Sequence, residues 1–389
     1  MENSTLNTSK ANVNYSCWNL PPEYCGTRDG FIEKIREFMF PSPEEWIVII
    51  LHVVVFFIGT IGNFLVCFVV WRSKHMQTVT NLFIVNLAVA DFLVVMFCQP
   101  PTVLQEITEN WFFGEMMCKV AIFFQTMSVS CSVLTLCAIS VERYYAICHP
   151  LKSRISFRKV IVTIVSIWII AALVSLPNLL YMFLERTYQD IPEYLTYCQM
   201  SWSSETDLIY KAFLVIGLYL IPILVIGIFY SIISRHLWVL AIPGASVPVS
   251  KCKKHFNHAE TQLISRRKVA KMLIAIVVLF AVCYLPVHTL FLFRSTGWLS
   301  LMGNNSPIIP MMYLIAHWLC YFNSAINPVI YNFMSMKFRA EFKCVFSCKS
   351  ASRSRYYTGG TFVTSKYHGV TAEMEETINN QSLDQMDSV

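Results

Sequence analysis

The chain has 389 residues, of which 55% are hydrophobic and only 14% charged, with a mean hydropathy of +0.51. A soluble domain of this length cannot hide so much apolar surface, so a water-soluble class is excluded and the bilayer is the natural solvent. The formal net charge of +6 sits mainly in a few short loops and lends no support to nucleic-acid binding.

The first 30 residues are polar and hold no apolar stretch flanked by basic residues. No cleavable signal peptide is expected, and the first span serves as its own insertion signal. Asn3, Asn7 and Asn14 each open an Asn-X-Ser/Thr triplet, which makes them candidate glycosylation sites. Segment 1–45 is expected outside the cell, with an amphipathic helix over 29–40. There Phe31, Ile35, Phe38 and Met39 recur at helical spacing, Asp29 caps the start, and Pro41 and Pro43 stop it. Such a helix either lies on lipid headgroups or touches a ligand, and the residues leave both readings open.

A helix needs about 20 apolar residues to cross a bilayer. Seven runs qualify, near 46–71, 82–104, 117–147, 160–184, 208–238, 268–293 and 309–335. The expected fold is an all-α membrane protein. A seven-transmembrane helix bundle fills 46–335, a short amphipathic eighth helix 336–348, and a disordered cytoplasmic tail 349–389. Arg72, Lys74, Lys152, Arg154, Arg158, Lys159, Arg235, Lys251, Lys253, Lys254, Arg266, Arg267 and Lys268 fall in or beside alternate loops, which places the N-terminus outside and the C-terminus inside. The irregular stretch from Pro243 to Pro248, with the basic run after it, reads as a mobile cytoplasmic loop that neither extends span five nor begins span six. The tail is phosphorylatable, and Cys344 and Cys348 are candidate palmitoylation sites. No internal repeat is visible, which counts against inverted-repeat transporters.

Of the 14 cysteines only Cys17, Cys25, Cys118 and Cys198 lie on the oxidising side, where they allow three pairings. No cysteine or histidine spacing matches a metal centre, and no nucleophile has a paired base, so neither catalysis nor a cofactor is expected.

Polar side chains inside apolar spans are expensive and call for a partner or a task. Asn63, Asp91, Ser132, Asn323 and Asn327 fall near mid-membrane depth. They form either a hydrated pocket for a small cation such as sodium, held by Asp91, Ser132, Asn323 and Asn327, or a static network that joins helices. The cost of a lone aspartate weighs toward the first. Glu142-Arg143-Tyr144 ends span three with an acid beside an arginine, which is either a two-state pair or an arginine snorkelling to the interface. Pro286 and Pro328 interrupt spans six and seven and create hinges, and Pro177 and Pro222 add kinks.

Asn63, the run Asn86 to Asp91, Cys118, Glu142-Arg143-Tyr144, Trp168, Pro222, Tyr230, Phe280 to Pro286 and Asn327-Pro328-Val329-Ile330-Tyr331 together resemble the rhodopsin-like G-protein-coupled receptors, from Trp46 to about Cys348. The resemblance implies a Cys118–Cys198 bridge, with Cys17 and Cys25 left as candidates for a second. It also implies an activation switch built on Asp91, Glu142, Arg143, Tyr144, Tyr230, Tyr284, Pro286, Asn327, Pro328 and Tyr331. Arg266 stands where an acid often pairs with this arginine, so the resting state would rest on Glu142 and packing. Implied partners are a heterotrimeric G protein, arrestin and receptor kinases acting on the tail, at the plasma membrane. A retinal protein would need a lysine in span seven, where Tyr321 stands instead.

Finer runs, His75 to Asn81, Ile107 to Gly114, Ala146 to Leu151, Ile242-Pro243-Gly244, Cys283 to Pro286 and Ala316-His317-Trp318, resemble the orexin receptors and, more closely, the invertebrate allatotropin receptors. That resemblance implies an amidated neuropeptide ligand, with calcium signalling through the q class of G protein. Its pocket would be Thr102, Gln105, Glu106, Gln125, Thr126, Val129, Tyr210, Lys211, Phe291, Arg294, His317 and Tyr321. Phe291, Lys211 and Glu142 depart from the orexin pattern and favour the allatotropin branch. Another amidated peptide, of neuropeptide FF type, is the alternative. On the outer face Glu106, Glu109, Glu115, Glu185, Asp190, Glu193, Glu205 and Asp207 outnumber Lys119, Arg186, Lys211 and Arg294, which either steers a basic ligand inward or merely solvates the loops.

Overall fold

The computed structural model describes residues 28–149, 155–186, 196–239, 253–296, 298, 308–346, 355–358 and 361–364. Asn3, Asn7, Asn14, Cys17, Cys25, Cys348, the stretch from Pro243 to Pro248 and most of the tail lie outside these residues, as does the side chain of Arg266.

Helix α1 (Arg28–Phe38) lies where the amphipathic helix over 29–40 is expected. It buries Ile35 while Glu33, Arg36 and Glu37 stay exposed, as the spacing predicts. Ser42 then caps α2 (Pro43–Arg72): its hydroxyl accepts from Glu45 N at 3.3 Å, and the Glu45 carboxylate accepts from Ser42 N at 2.7 Å. This reciprocal box, with Pro43 already at a helical φ, satisfies donors that a helix start leaves open.

Five further long helices complete six apolar enough to span a bilayer: α3 (Val79–Thr108), α4 (Gly114–Cys148), α5 (Phe157–Tyr181), α6 (Ser204–Leu237) and α7, whose apolar part is Arg267–Ser295. The shortest, 25 residues at about 1.5 Å per residue, already exceeds a hydrocarbon core of about 30 Å. Helix α8 (Ile308–Met334) is as long at 27 residues but more polar, because His317, Asn323 and Asn327 line its inner face. Helices α2 to α8 are the seven expected spans. Single wide turns interrupt α3 at Val94–Cys98 and α6 at Ile216–Leu220. A short amphipathic helix, α9 (Met336–Phe346), follows and buries Phe338 and Phe342, one turn apart.

The packing is apolar inside and out. Val66, Leu136, Ile139, Ile226, Ile233, Leu273, Ile276 and Phe280 form the main core, while Phe57, Phe64, Val162, Leu173, Leu224 and Val282 are exposed on outer faces. Only lipid makes that outer surface stable. Gly59 and Gly62 let α2 approach α3 and α8 closely, since a Cβ at Gly59 would meet Val95 at 3.1 Å and one at Gly62 would meet Pro328 at 3.0 Å.

Several spans begin or end up to four residues from expectation, as α3 does (79–108 against 82–104), and three departures have a visible local cause. Span four ends at Tyr181, not 184, because Met182–Arg186 forms β1 and pairs antiparallel with β2 (Thr196–Met200), Leu184 opposite Cys198. Span six begins at Lys253, so the basic run is helical: no Gly or Pro separates Lys253 from Pro286, and nothing there stops the helix. In the tail, where disorder was expected, Arg355–Thr358 (β3) pairs with Thr361–Thr364 (β4). Strand-forming Tyr356, Tyr357, Phe362 and Val363 flank Gly359-Gly360, a sequence suited to a two-residue turn.

Candidate functional site

Cys118 at the start of α4 is disulfide-bonded to Cys198 on β2, with Cα atoms 5.8 Å apart. The bridge pins the β1–β2 hairpin to the bundle, and the buried Asn110 carboxamide oxygen adds to it by accepting from Thr196 N at 2.8 Å. Glu109, just beyond α3, takes a left-handed backbone with φ 48°. Burial, reinforced by the nearby Glu45 charge, holds its carboxyl above the usual carboxylate range.

Below this end the predicted pocket residues fall into two groups. In the first, the Glu106 carboxylate on α3 lies against His317 Nδ1 on α8, both side chains nearly enclosed. The His317 ring lies 6.3 Å from Phe291 and 6.4 Å from Tyr313. Lys211 lies 5.7 Å from the Phe291 ring centre while pairing with Asp207 at 2.5 Å. Thr102 and Tyr321 are both buried, the Tyr321 hydroxyl without a hydrogen-bond partner, and Arg294 is exposed. In the second group, Thr126 and Tyr210 are joined by Asn178 of α5, whose amide donates to the Thr126 hydroxyl at 2.9 Å and the Tyr210 hydroxyl at 3.2 Å. Tyr210 in turn donates to Val174 O at 3.1 Å. Gln105 and Gln125 stand half-buried without a hydrogen bond to another of these residues, and Val129 packs on the main core.

Asp91 is buried at mid-bundle. Asn327 donates to its carboxylate at 2.7 Å and Ser132 at 3.4 Å. Asn323 is also buried, and the side-chain oxygens of Asn323 and Asn327 have no partner. Asn63 stands apart from the carboxylate: its amide donates to the backbone of Gly59 at 2.9 Å and of Ser324 at 3.0 Å, so it ties α2 to α8. Asn86 likewise links three helices, donating to Thr135 at 2.7 Å and accepting from Trp168 at 2.8 Å.

At the opposite end Arg143 donates to both Glu142 oxygens at 2.5 and 2.6 Å, and also to the Thr80 hydroxyl, which donates to Glu142 at 3.3 Å. The arginine is thus clamped from α3 as well as from its neighbour. The Tyr144 ring lies 5.3 Å from that of Phe229, tilted by 57°, and its hydroxyl shares a hydrogen bond with His149 at 3.1 Å. Tyr230 is buried, and fully buried Tyr331 lies 5.5 Å from Phe338 of α9. Pro286 sits within α7, beside the Phe280–Tyr284 ring pair at 4.7 Å, and Pro328 within α8. Tyr219 of α6 donates to Ala281 O at 2.7 Å, on the N-terminal side of Pro286.

Thr80, Asn178, His52 and Gln99 escaped the sequence reading. His52 faces Leu314 O at 3.3 Å, and Gln99 donates to His52 O at 2.8 Å. His52, Gln99 and Asn178 are polar residues in apolar spans, a signal present in the sequence, whereas Thr80 lies ahead of the span expected over 82–104.

A disulfide-pinned hairpin at one end, two polar clusters below it, a central buried carboxylate and a clamped arginine at the far end are set within a bundle of membrane-spanning helices. Residues 62–331 match the model of the 7 transmembrane receptor (rhodopsin family), and the chain belongs to that family. It is a multi-pass signalling receptor of the plasma membrane and not an enzyme. Among similar proteins, a Branchiostoma floridae protein named QRFP-like peptide receptor is 33% identical over 338 residues, which cover 83% of this chain and 85% of that one.

Proposed function

We propose that the chain is a receptor for an amidated neuropeptide, entering from the disulfide end, which is extracellular. The observations that carry this reading are the polar and aromatic group around Glu106 and His317 and the Thr126–Asn178–Tyr210 group, both below the disulfide-bonded hairpin. The motif runs support an allatotropin or orexin type of ligand. A second reading, a QRFP-like peptide, is favoured by the named Branchiostoma relative.

The peptide binds against Gln125, Tyr210, His317 and Tyr321 better when the helices adopt their active arrangement, and so shifts an existing equilibrium. α7 bends at Pro286, Arg143 leaves Glu142 and Thr80, and its guanidinium meets a G protein of the q class, raising calcium. Arrestin and receptor kinases act afterwards on the tail, and a fatty acyl chain on exposed Cys344 holds α9 to the membrane. Sodium fits the centre: the Asp91 carboxylate, the Ser132 hydroxyl and the unpartnered oxygens of Asn323 and Asn327 are the hard oxygen donors a small cation takes. When bound, the ion supplies only charge compensation to Asp91.

The test is calcium release in cells expressing the chain, screened against amidated peptides of allatotropin, orexin, neuropeptide FF and QRFP types. A response to one peptide names the ligand and supports the q class. Silence across the panel, with receptor at the surface, rejects the peptide reading.

A further inference from the structure

Proline has no N–H, so Pro286 leaves Val282 O of α7 without its helical donor and marks where that helix can bend. The carbonyl one residue earlier, Ala281 O, accepts a hydrogen bond of 2.7 Å from the hydroxyl of Tyr219 on α6. Ala281 lies on the side of Pro286 toward the Arg143 end of the bundle. The same tyrosine meets α7 on the other side of the proline as well: its ring centre lies 4.8 Å from that of His288, toward the disulfide end. A longer contact, 6.3 Å to the Phe280 ring, falls back on the Ala281 side. Tyr219 is buried, so without Ala281 O its hydroxyl would lose water and gain nothing. It also stands in the single wide turn of α6, Ile216–Leu220, a departure from regular helix that is frequent at functional positions. One side chain of α6 thus touches both halves of a proline-interrupted neighbour.

We infer that Tyr219 is a positioning residue that splints the Pro286 hinge and holds α7 in the closed arrangement, an inference that rests on the reading that α7 bends at Pro286 when the receptor turns on. At about 1.5 Å per residue, Ala281 lies about 7.5 Å from the hinge, so a swing of about 20° carries it roughly 2.5 Å from its donor. A hydrogen bond does not survive that stretch. His288 lies beyond the hinge and does not travel with the swinging half, so its ring keeps the tyrosine aimed at the place to which Ala281 returns. The clamp of Glu142 and Thr80 on Arg143 restrains the far end of the bundle, and the Tyr219 bond restrains its middle through a different pair of helices. The hydroxyl is the part that matters: phenylalanine would keep the ring contacts and lose the bond.

The test uses the full receptor without ligand, so it does not depend on which peptide binds. Inositol phosphate accumulation, corrected for surface receptor, is measured with tyrosine, phenylalanine or a ring-fluorinated tyrosine at position 219. Fluorine acidifies the phenol and strengthens its donation while the ring stays. Tyr219→Phe should raise basal signalling about fivefold, and the fluorinated residue should lower it below the native level. His288→Ala should raise it too, and the two substitutions together should give less than the product of their separate effects. In parallel, an environment-sensitive fluorescent amino acid in place of exposed Lys268 reports the swing of α7. Tyr219→Phe should shift its emission in the same direction as Thr80→Ala. Should Tyr219→Phe fail to reach the surface, the fluorinated residue decides alone. If Tyr219→Phe leaves signalling and emission unchanged while Thr80→Ala moves them, or if phenylalanine and the fluorinated tyrosine move signalling the same way, the splint is wrong and the switch reading stands. If neither Tyr219→Phe nor Thr80→Ala moves the emission, α7 does not swing at Pro286, and this inference fails together with that reading.

Discussion

Asn178 of α5 donates a hydrogen bond of 2.9 Å to Thr126 of α4, and the same amide reaches Tyr210 of α6 at 3.2 Å. One side chain thereby sets the spacing of three helices around the pocket. Replacing it removes two hydrogen bonds, each worth about 1 kcal/mol net, so Asn178→Ala should lower peptide potency about tenfold while surface expression is kept. Concentration–response curves corrected for surface receptor check this. Unchanged potency would mean that Thr126 and Tyr210 hold their places unaided.

Thr80 belongs to the clamp on Arg143. Thr80→Ala strips a contact made only while the arginine is held, so the closed state should lose about 1 kcal/mol and basal signalling should rise about fivefold. Ligand-free inositol phosphate accumulation measures it.

Around Asp91 the proposed ion should favour the closed arrangement. Replacing choline with sodium at equal ionic strength should weaken agonist binding about fivefold in the native receptor and leave Asp91→Asn indifferent. Radioligand saturation in both salts gives the answer. An equal shift in both proteins would assign the effect to ionic strength.

Glu109 supplies a pH prediction. Its carboxyl titrates above the ordinary value of 4.5 in the folded state, mainly through burial. The folded protein therefore binds its proton more tightly than the unfolded chain does, and the group favours folding at low pH and opposes it once pH rises through the folded value. Glu109→Gln should raise the Tm of the detergent-solubilised receptor at neutral pH, and the gain should vanish below pH 4.5.

How far the chain's function was readable from its residues depended on which costs are local. Asp91, Arg143, Pro286 and Pro328 stand out because a charge or a missing N–H in an apolar helix is expensive wherever the helix goes. The seven spans follow from length and hydropathy in the same way. Asn178 carries the same type of signal and Thr80, ahead of its span, does not, but the roles of both depend on which helices they face, and that is a tertiary fact. α7 starts well before the expected 268 because nothing in 253–285 breaks a helix, and the charges of a basic run do not by themselves make a loop. Hydropathy carries span four three residues past its end because Met182, Phe183 and Leu184 are as apolar as the helix they follow, and only pairing with β2 makes them a strand. The bond from Asn63 to Ser324 O, and not to Asp91, likewise required the fold.

The central claim, that an amidated peptide is read at Gln125, is tested most directly by a cycle of two ligands and two receptors. The peptide found active is compared as its amide and as its free acid, on native receptor and on Gln125→Ala, with calcium release corrected for surface expression. On native receptor the acid should be weaker by about 30-fold, since it brings an uncompensated charge to a site built for a neutral amide. On Gln125→Ala the amide should lose most of that advantage. Equal potency of amide and acid on native receptor, or an undiminished difference on Gln125→Ala, would contradict the account.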